Sequence, residues 1–252
     1  MTTDLETVRA VEETAADAVP AAVAELLDGW RLRFTYGVKR RPNSVLANAD
    51  GGTLALEAKL AHTEAFYAAH GLKTRFQLCP ASLPADLAEV LVARGYRQAP
   101  EAVSVQTVFL EDVQTPAVAG VLLEHPAPVF LDLYGELEGL TGVKAAAFRE
   151  MLTRLPGEAV FALARDAAGR PAATGVGVAH GGRLGVFNVA THPDSRRQGL
   201  ASRVVGTLCE WGRHRGLDGA YLQVSSGNKG ALAVYERLGF RTLYEYFYLE
   251  QP

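Results

Sequence analysis

The sequence predicts an α/β (α+β) chain made of two related halves, and three observations carry that reading. First, strand-like and helix-like patterns alternate along its 252 residues. Second, a pattern recurs. Gly71-Leu72, a strand-like Thr74-Arg75-Phe76-Gln77-Leu78 and an amphipathic stretch ending Arg94-Gly95-Tyr96 return later in the chain. The second copy is Gly216-Leu217, Ala220-Tyr221-Leu222-Gln223-Val224 and a stretch ending Leu238-Gly239-Phe240. The outer glycines lie 24 positions apart in the first copy and 23 in the second, and a long helical pattern precedes each, at 54–70 and 200–215. Third, Glu111-Asp112-Val113-Gln114-Thr115-Pro116 is a polar join that ends in proline between two apolar runs. It sets the halves at about 1–112 and 117–252.

In the first half, helices are expected over 5–19 and 21–27 and short strands over 30–36 and 44–47. Asp50-Gly51-Gly52 reads as a turn before the helix at 54–70. The second half is more legible. A strand is expected at 118–123 and helices at 129–140 and 143–155. Ala147, Phe148, Met151, Leu152 and Leu155 stand at helical spacing in the latter. Strands at 159–164, 172–179 and 184–191 are separated by the turns 166–170 and Gly181-Gly182. The clearest element is the helix from 199 to 215, where Leu200, Val204, Leu208 and Trp211 form one stripe with Arg203 and Arg213 off it. A strand at 220–224, a helix at 229–238 and a strand at 241–249 close the chain.

Composition narrows the function classes. With 48% apolar and 21% charged residues, the chain is neither disordered nor collagen-like. No run approaches the ~20 apolar residues that cross a bilayer. The first 28 residues carry seven acids against the single base Arg9, unlike a secretory or transit leader, so the cytoplasm is the expected compartment. A net charge of −3 offers no basic field for nucleic acid, which is not an expected partner. Cys79 and Cys209 are too few for a zinc cage or a disulfide scaffold, and no metal is expected.

The chemistry-bearing stretch is His192-Pro193-Asp194-Ser195-Arg196-Arg197-Gln198-Gly199-Leu200-Ala201-Ser202. A strand ends at Thr191, proline stops the ladder, and a helix opens near Gly199. The first amides of that helix lack intrahelical partners and carry the positive end of its dipole. Small residues let a ligand approach them, and two arginines add charge. This arrangement suits a diphosphate; a surface loop with solvated arginines is the bland alternative. Other phosphate motifs fail. There is no G-x-x-x-x-G-K-S/T, and His180 stands where Gly175-Val176-Gly177 would need a third glycine.

At these residues the sequence resembles the GNAT superfamily of acyl-CoA-dependent N-acyltransferases. Arg196-Arg197-Gln198-Gly199-Leu200-Ala201 fits that family's pyrophosphate loop, Arg/Gln-x-x-Gly-x-Gly/Ala. Asn228, Ala231, Tyr235, Glu236, Gly239 and Phe240 fit its second motif, about 30 residues on. The resemblance covers about 117–252. It implies a mixed, mostly antiparallel sheet flanked by helices in each half. It also implies acetyl-CoA as co-substrate and a small-molecule or peptide amine as acceptor. Val189, Ala190 and Thr191 would pair with the pantetheine arm. Amides from Arg197 to Ser202, with the charges of Arg196 and Arg197 and with Gln198, Gly199, Leu200 and Ala201 in the loop, would hold the pyrophosphate. Asn228 would cap the later helix and touch the CoA arm. Tyr235 would protonate the departing thiolate, a transfer uphill by roughly 2 kcal/mol from reference values of about 10 and 8.5.

No general base is visible: where many relatives carry a glutamate, this chain reads Gly185-Val186-Phe187-Asn188. His180, His192, Asp132, Glu136 and Glu150 remain open. The first half keeps the tail of the pattern without its loop. It has Asp50 in place of arginines, Leu83-Pro84-Ala85 at the asparagine region, and Leu91 or Val92 near the tyrosine position. It resembles a GNAT half that has lost CoA binding, as in tandem members such as mycothiol synthase. The basic, aromatic stretch from Trp30 to Ser44 has three readings: a hairpin with its aromatics in the core, an acceptor or CoA 3′-phosphate contact, or RNA stacking. The expected function is acetyl transfer by direct attack, in a monomer or homodimer. The alternative is a non-enzymatic acyl-CoA sensor or interaction module.

Overall fold

The computed structural model describes residues 4–114 and 116–252, so Thr115 of the expected join lies outside the described residues. Two compact units emerge. One comprises the chain through Val103 together with Tyr244–Pro252, and the other is Ser104–Leu243. Residues 104–112 thus belong with the second unit and 244–252 with the first, which differs from bounds of 1–112 and 117–252.

In the first unit, α1 (Leu5–Ala18) starts at Asp4, whose carboxylate accepts the Thr7 amide at 3.1 Å. Next come β1 (Val23–Leu27), β2 (Trp30–Phe34), β3 (Val45–Leu46), α2 (Leu56–Ala69), β4 (Arg75–Leu78), α3 (Leu87–Ala93) and β5 (Arg97–Gln98). The helix expected at 21–27 is instead a strand. Leu27 pairs with Trp30 around Asp28 (φ 45°) and Gly29 (φ 91°). Asp-Gly with both residues in the left-handed region is a two-residue hairpin turn, and its local geometry outweighed a weak helical periodicity. The sheet order is β1-β2-β3-β4, and the end of the last strand of the chain pairs with β4 and β5. β3 and β4 run parallel. Trp30, Leu32 and Phe76 are core residues, and the Arg33 guanidinium is buried on Ser44 and Gln77. The basic aromatic stretch is therefore largely a core hairpin.

The second unit holds β6 (Val103–Phe109), β7 (Val121–Leu123), α4 (Pro128–Leu137), α5 (Gly142–Thr153), β8 (Glu158–Arg165), β9 (Pro171–His180), β10 (Arg183–Thr191), α6 (Leu200–His214), β11 (Gly219–Ser225), α7 (Lys229–Arg237) and the start of β12 (Arg241–Glu250). Its strand order is β6-β11-β10-β9-β8-β7. Pairs β7–β8, β8–β9 and β9–β10 are antiparallel, and β10–β11 is parallel. Both units thus contain strand, loop, helix, parallel strand, helix: β3-α2-β4-α3 and β10-α6-β11-α7. The fold is α/β with mixed, mostly antiparallel strands flanked by helices.

The stripe on α6 is the keel of the second core. Leu200, Val204, Leu208 and Trp211 are all buried, each contributing roughly 1.5–3 kcal/mol. The helix lies close on β9 because Gly175 has no side chain: a Cβ there would stand 2.4 Å from Val204 Cγ1. The glycines that fail as a nucleotide motif are packing residues. α7 packs on α6 in turn.

Candidate functional site

The parallel ladder of β10 and β11 runs from Arg183–Gly219 to Val186–Leu222 and stops. β10 continues to Thr191 while still paired to β9 on its other side. Val189, Ala190 and Thr191, all half-buried, therefore lie beyond the β11 ladder. Between Phe187 and Ala190 the register with β9 shifts by one residue, and Asn188 takes a left-handed conformation (φ 53°).

The chain then turns through a short 3-10 segment, Pro193–Ser195, with the Ser195 side chain buried near Asp166. Arg196, Arg197, Gln198 and Gly199 are exposed. Arg197 (φ 62°) and Gly199 (φ 74°) are both left-handed, so the loop bends at two places just ahead of α6. No side chain caps α6 at Gly199, and nothing lies within 4 Å of where a Cβ there would stand. The amides of Leu200, Ala201 and Ser202 open a 15-residue helix whose dipole points its positive end at this gap. Two guanidinium groups flank it. The arrangement fits a dianionic diphosphate, since it offers donors, charge and clearance together.

Asn228 caps α7, its side-chain oxygen accepting the Ala231 amide at 3.1 Å. Tyr235 is 6% exposed and belongs to the same apolar cluster as Leu200, Val204 and Val224. Its ring sits at 6.1 Å from Phe240, and burial pushes the phenol up to about 12. It therefore stays protonated across the physiological range. Cys209, in that same cluster, is also pushed up to about 12 by burial.

Among the base candidates, His192 Nδ1 accepts the Asp194 amide at 3.3 Å, and its Nε2 lies 3.9 Å from Glu136. Asp132 pairs with Arg149, and Glu150 with Arg154. The residues that sequence reasoning passed over are Tyr134 and Thr174. The Tyr134 hydroxyl donates to Asn188 Oδ1 at 3.1 Å, and Thr174 Oγ1 donates to the Asn188 carbonyl at 3.1 Å. Neither lies in a motif, so no sequence signal marked them.

The corresponding place in the first unit is built differently. The Asp28 carboxylate accepts the Thr53 and Leu54 amides, each at 3.2 Å, and the Thr53 hydroxyl at 2.6 Å. Asp50 accepts the Gly52 amide and the buried Lys59 ammonium, the latter at 2.9 Å. The Thr53 hydroxyl bond holds Asp28, and Lys59 holds Asp50, below the usual carboxylate range. Just past β3, the Ala47 carbonyl accepts the Leu83 amide at 2.7 Å.

Among the described residues, no cluster of three or more His, Cys, Asp or Glu side chains is placed to hold a metal. No helix among them is long and apolar enough to cross a membrane.

Residues 6–249 match the family model described as "Probable histone acetyltransferase Rv0428c C-terminal". The chain is 27% identical over 250 residues to the uncharacterized N-acetyltransferase YobR of Bacillus subtilis, covering 97% of this chain and 98% of that protein. Among solved structures, a GCN5-related N-acetyltransferase from Kribbella flavida matches with a TM-score of 0.71 at 20% identity, covering 97% of this chain and 95% of the other. A tandem GNAT protein from the clavulanic acid biosynthesis pathway matches with a TM-score of 0.63 at 16% identity, over 80% of this chain and 72% of that one.

Proposed function

The chain belongs to the family described as the C-terminal part of the probable histone acetyltransferase Rv0428c, within the GNAT superfamily, and is an N-acetyltransferase; on that premise we propose that its donor is acetyl-CoA, seated at the start of α6. The observation that carries this is the uncapped, glycine-led helix start beside Arg196 and Arg197, next to a β10 that outruns its parallel neighbour. Arg196 to Ser202 would hold the pyrophosphate and Val189 to Thr191 the pantetheine arm, with Asn228 at the arm's flank.

In the proposed reaction a neutral amine attacks the acetyl carbonyl. The C–N bond forms as the carbonyl electrons move onto oxygen, where β10 amides near Thr191 stabilise them. Collapse breaks the C–S bond, sulfur leaves with the electron pair, and the Tyr235 hydroxyl supplies its proton. A phenol at about 12 against a solvent-like thiol at about 8.5 is uphill by roughly 5 kcal/mol. Burial raises thiols by the same physics, as it does Cys209, so a thiolate released in dry surroundings is close to matched with the phenol.

The missing glutamate points to an amine that sheds its proton easily. Deprotonating a lysine-type amine at pH 7 costs about 4–5 kcal/mol, an α-amine about 1–1.5. We propose an acceptor of the second type, with its proton passing to water. A rate on an α-amine still climbing steeply above pH 9 would count against it. In this reading the first unit is a GNAT-like copy closed to CoA, supported by the Asp28 carboxylate just ahead of α2 and by the Leu83 amide on the Ala47 carbonyl.

The test is calorimetric titration with acetyl-CoA, followed by thiol release across a panel of α-amines and lysine-type amines. Binding with release on α-amines is expected. Binding without release on any amine favours an acyl-CoA sensor instead.

A further inference from the structure

Two non-glycine residues described in the second unit take a left-handed conformation, Arg197 and Asn188, and Asn188 does so inside a strand. A side chain at φ 53° inside a strand carries a conformational cost, although asparagine bears it better than most residues. Such a conformation persists where the surroundings fix it, and here they do so from two sides. From α4, the Tyr134 hydroxyl donates to the Asn188 side chain; from β9, Thr174 Oγ1 donates to its backbone carbonyl. Both holders are buried. Thr174 is 0% exposed, and Tyr134, 1% exposed, is stacked on Phe148 with centroids 4.6 Å apart. Burial pushes the Tyr134 phenol far up, so it remains a proton donor at every working pH.

The fixed bulge lies between the last β10–β11 pair, at Val186, and Val189–Thr191. A bulge re-aims the strand that follows it. We propose that Tyr134 and Thr174 clamp Asn188 in its left-handed conformation, and that this clamp aims the Val189–Thr191 amides at the acyl carbonyl of the donor. Asn188 is then a positioning residue acting through its backbone, and it neither accepts the amine proton nor holds a catalytic water. This rests on acetyl-CoA being the donor.

The experiment compares dissociation constants for acetyl-CoA and for free CoA, which lacks the carbonyl, in the full chain. The wild type should prefer acetyl-CoA, by the two- to tenfold of about one net hydrogen bond. Asn188→Ala should abolish that preference, with any loss of affinity for free CoA, whose pantetheine arm also meets Val189–Thr191, smaller than the loss for acetyl-CoA. Asn188→Gly, which adopts the same φ without strain, should retain it. Tyr134→Phe and Thr174→Val should each reduce it. Equal loss in Asn188→Gly and Asn188→Ala would show that the side chain itself acts, and would overturn the clamp. So would an unchanged preference in Asn188→Ala, or a wild type that binds acetyl-CoA and CoA equally. A wild type that binds neither would instead overturn the donor reading, and this inference would fall with it.

Discussion

The starts of α2 and α6 occupy the same place in two copies of one strand-loop-helix-strand pattern, yet the segments that lead into them are opposite in charge. At α6 the amides are uncapped, two arginines stand beside them, and no atom lies over Gly199. α2 is likewise without a side-chain cap at Ala55, but just ahead of it the Asp28 carboxylate takes the Thr53 and Leu54 amides and Asp50 takes the Lys59 ammonium. The first copy sets acids ahead of its helix where the second sets arginines. Past the parallel strands the contrast repeats: Leu83 donates to Ala47 beside β3, whereas β10 runs on beyond β11. A helix dipole is therefore only half of an anion site. What decides the other half is the charge that the chain sets beside it.

The comparison is broken most directly at its two left-handed glycines. Arg196→Glu, Arg197→Glu and Gly199→Val together should weaken acetyl-CoA binding by about a thousandfold, since charge-assisted bonds of about 1.5–3 kcal/mol each are lost. The matched Gly52→Val, also at positive φ with open space around it, should change affinity less than twofold by calorimetry. Comparable losses would mean that the first unit takes part in binding.

Tyr235→Phe should lower kcat about 100-fold, the lower end of the acid–base range, with acetyl-CoA affinity within twofold. Because a general acid must be protonated and burial pushes this phenol up to about 12, the kcat–pH profile should show no descending limb from it below about pH 11. A limb near 10 would mean a solvated phenol or another acid.

Asn228→Ala should cost about 1 kcal/mol of stability through loss of the α7 cap, lowering Tm by a few degrees. An added loss of CoA affinity would give it the second role. The smallest effect is expected for Asp28→Asn, which tolerates the left-handed conformation and keeps an acceptor oxygen: a slight fall in Tm and still one acetyl-CoA per chain, because Asp50 remains near α2. Asp28 is held below the ordinary carboxylate range, so its contribution is present at neutral pH. It is lost as pH falls below that range, and the Tm difference from wild type should vanish there.

Much of this was legible from residues alone. The Leu200-Val204-Leu208-Trp211 stripe announced α6 because burial of one face imposes a 3.6-residue period, and all four side chains are buried. The Gly71/Gly216 and Gly95/Gly239 spacing announced the repeated pattern, since left-handed glycines end helices in both copies. Residues 21–27 were misread because short segments carry little periodicity, and the Asp28-Gly29 turn held the stronger signal. The role of Asp28 at α2 was invisible, as it reaches across 25 positions to Thr53.

The sequence by itself determined the order of helices and strands in the second half, the family and the loop that opens α6, because periodicity, glycine placement and short motifs are local properties of the chain. Tertiary structure alone decided that Asp28 sits just ahead of α2, how deeply Tyr235 is buried, and what holds Asn188 in its bulge. Those outcomes depend on side chains far apart in sequence, and on the loss of water around them, which no local pattern encodes.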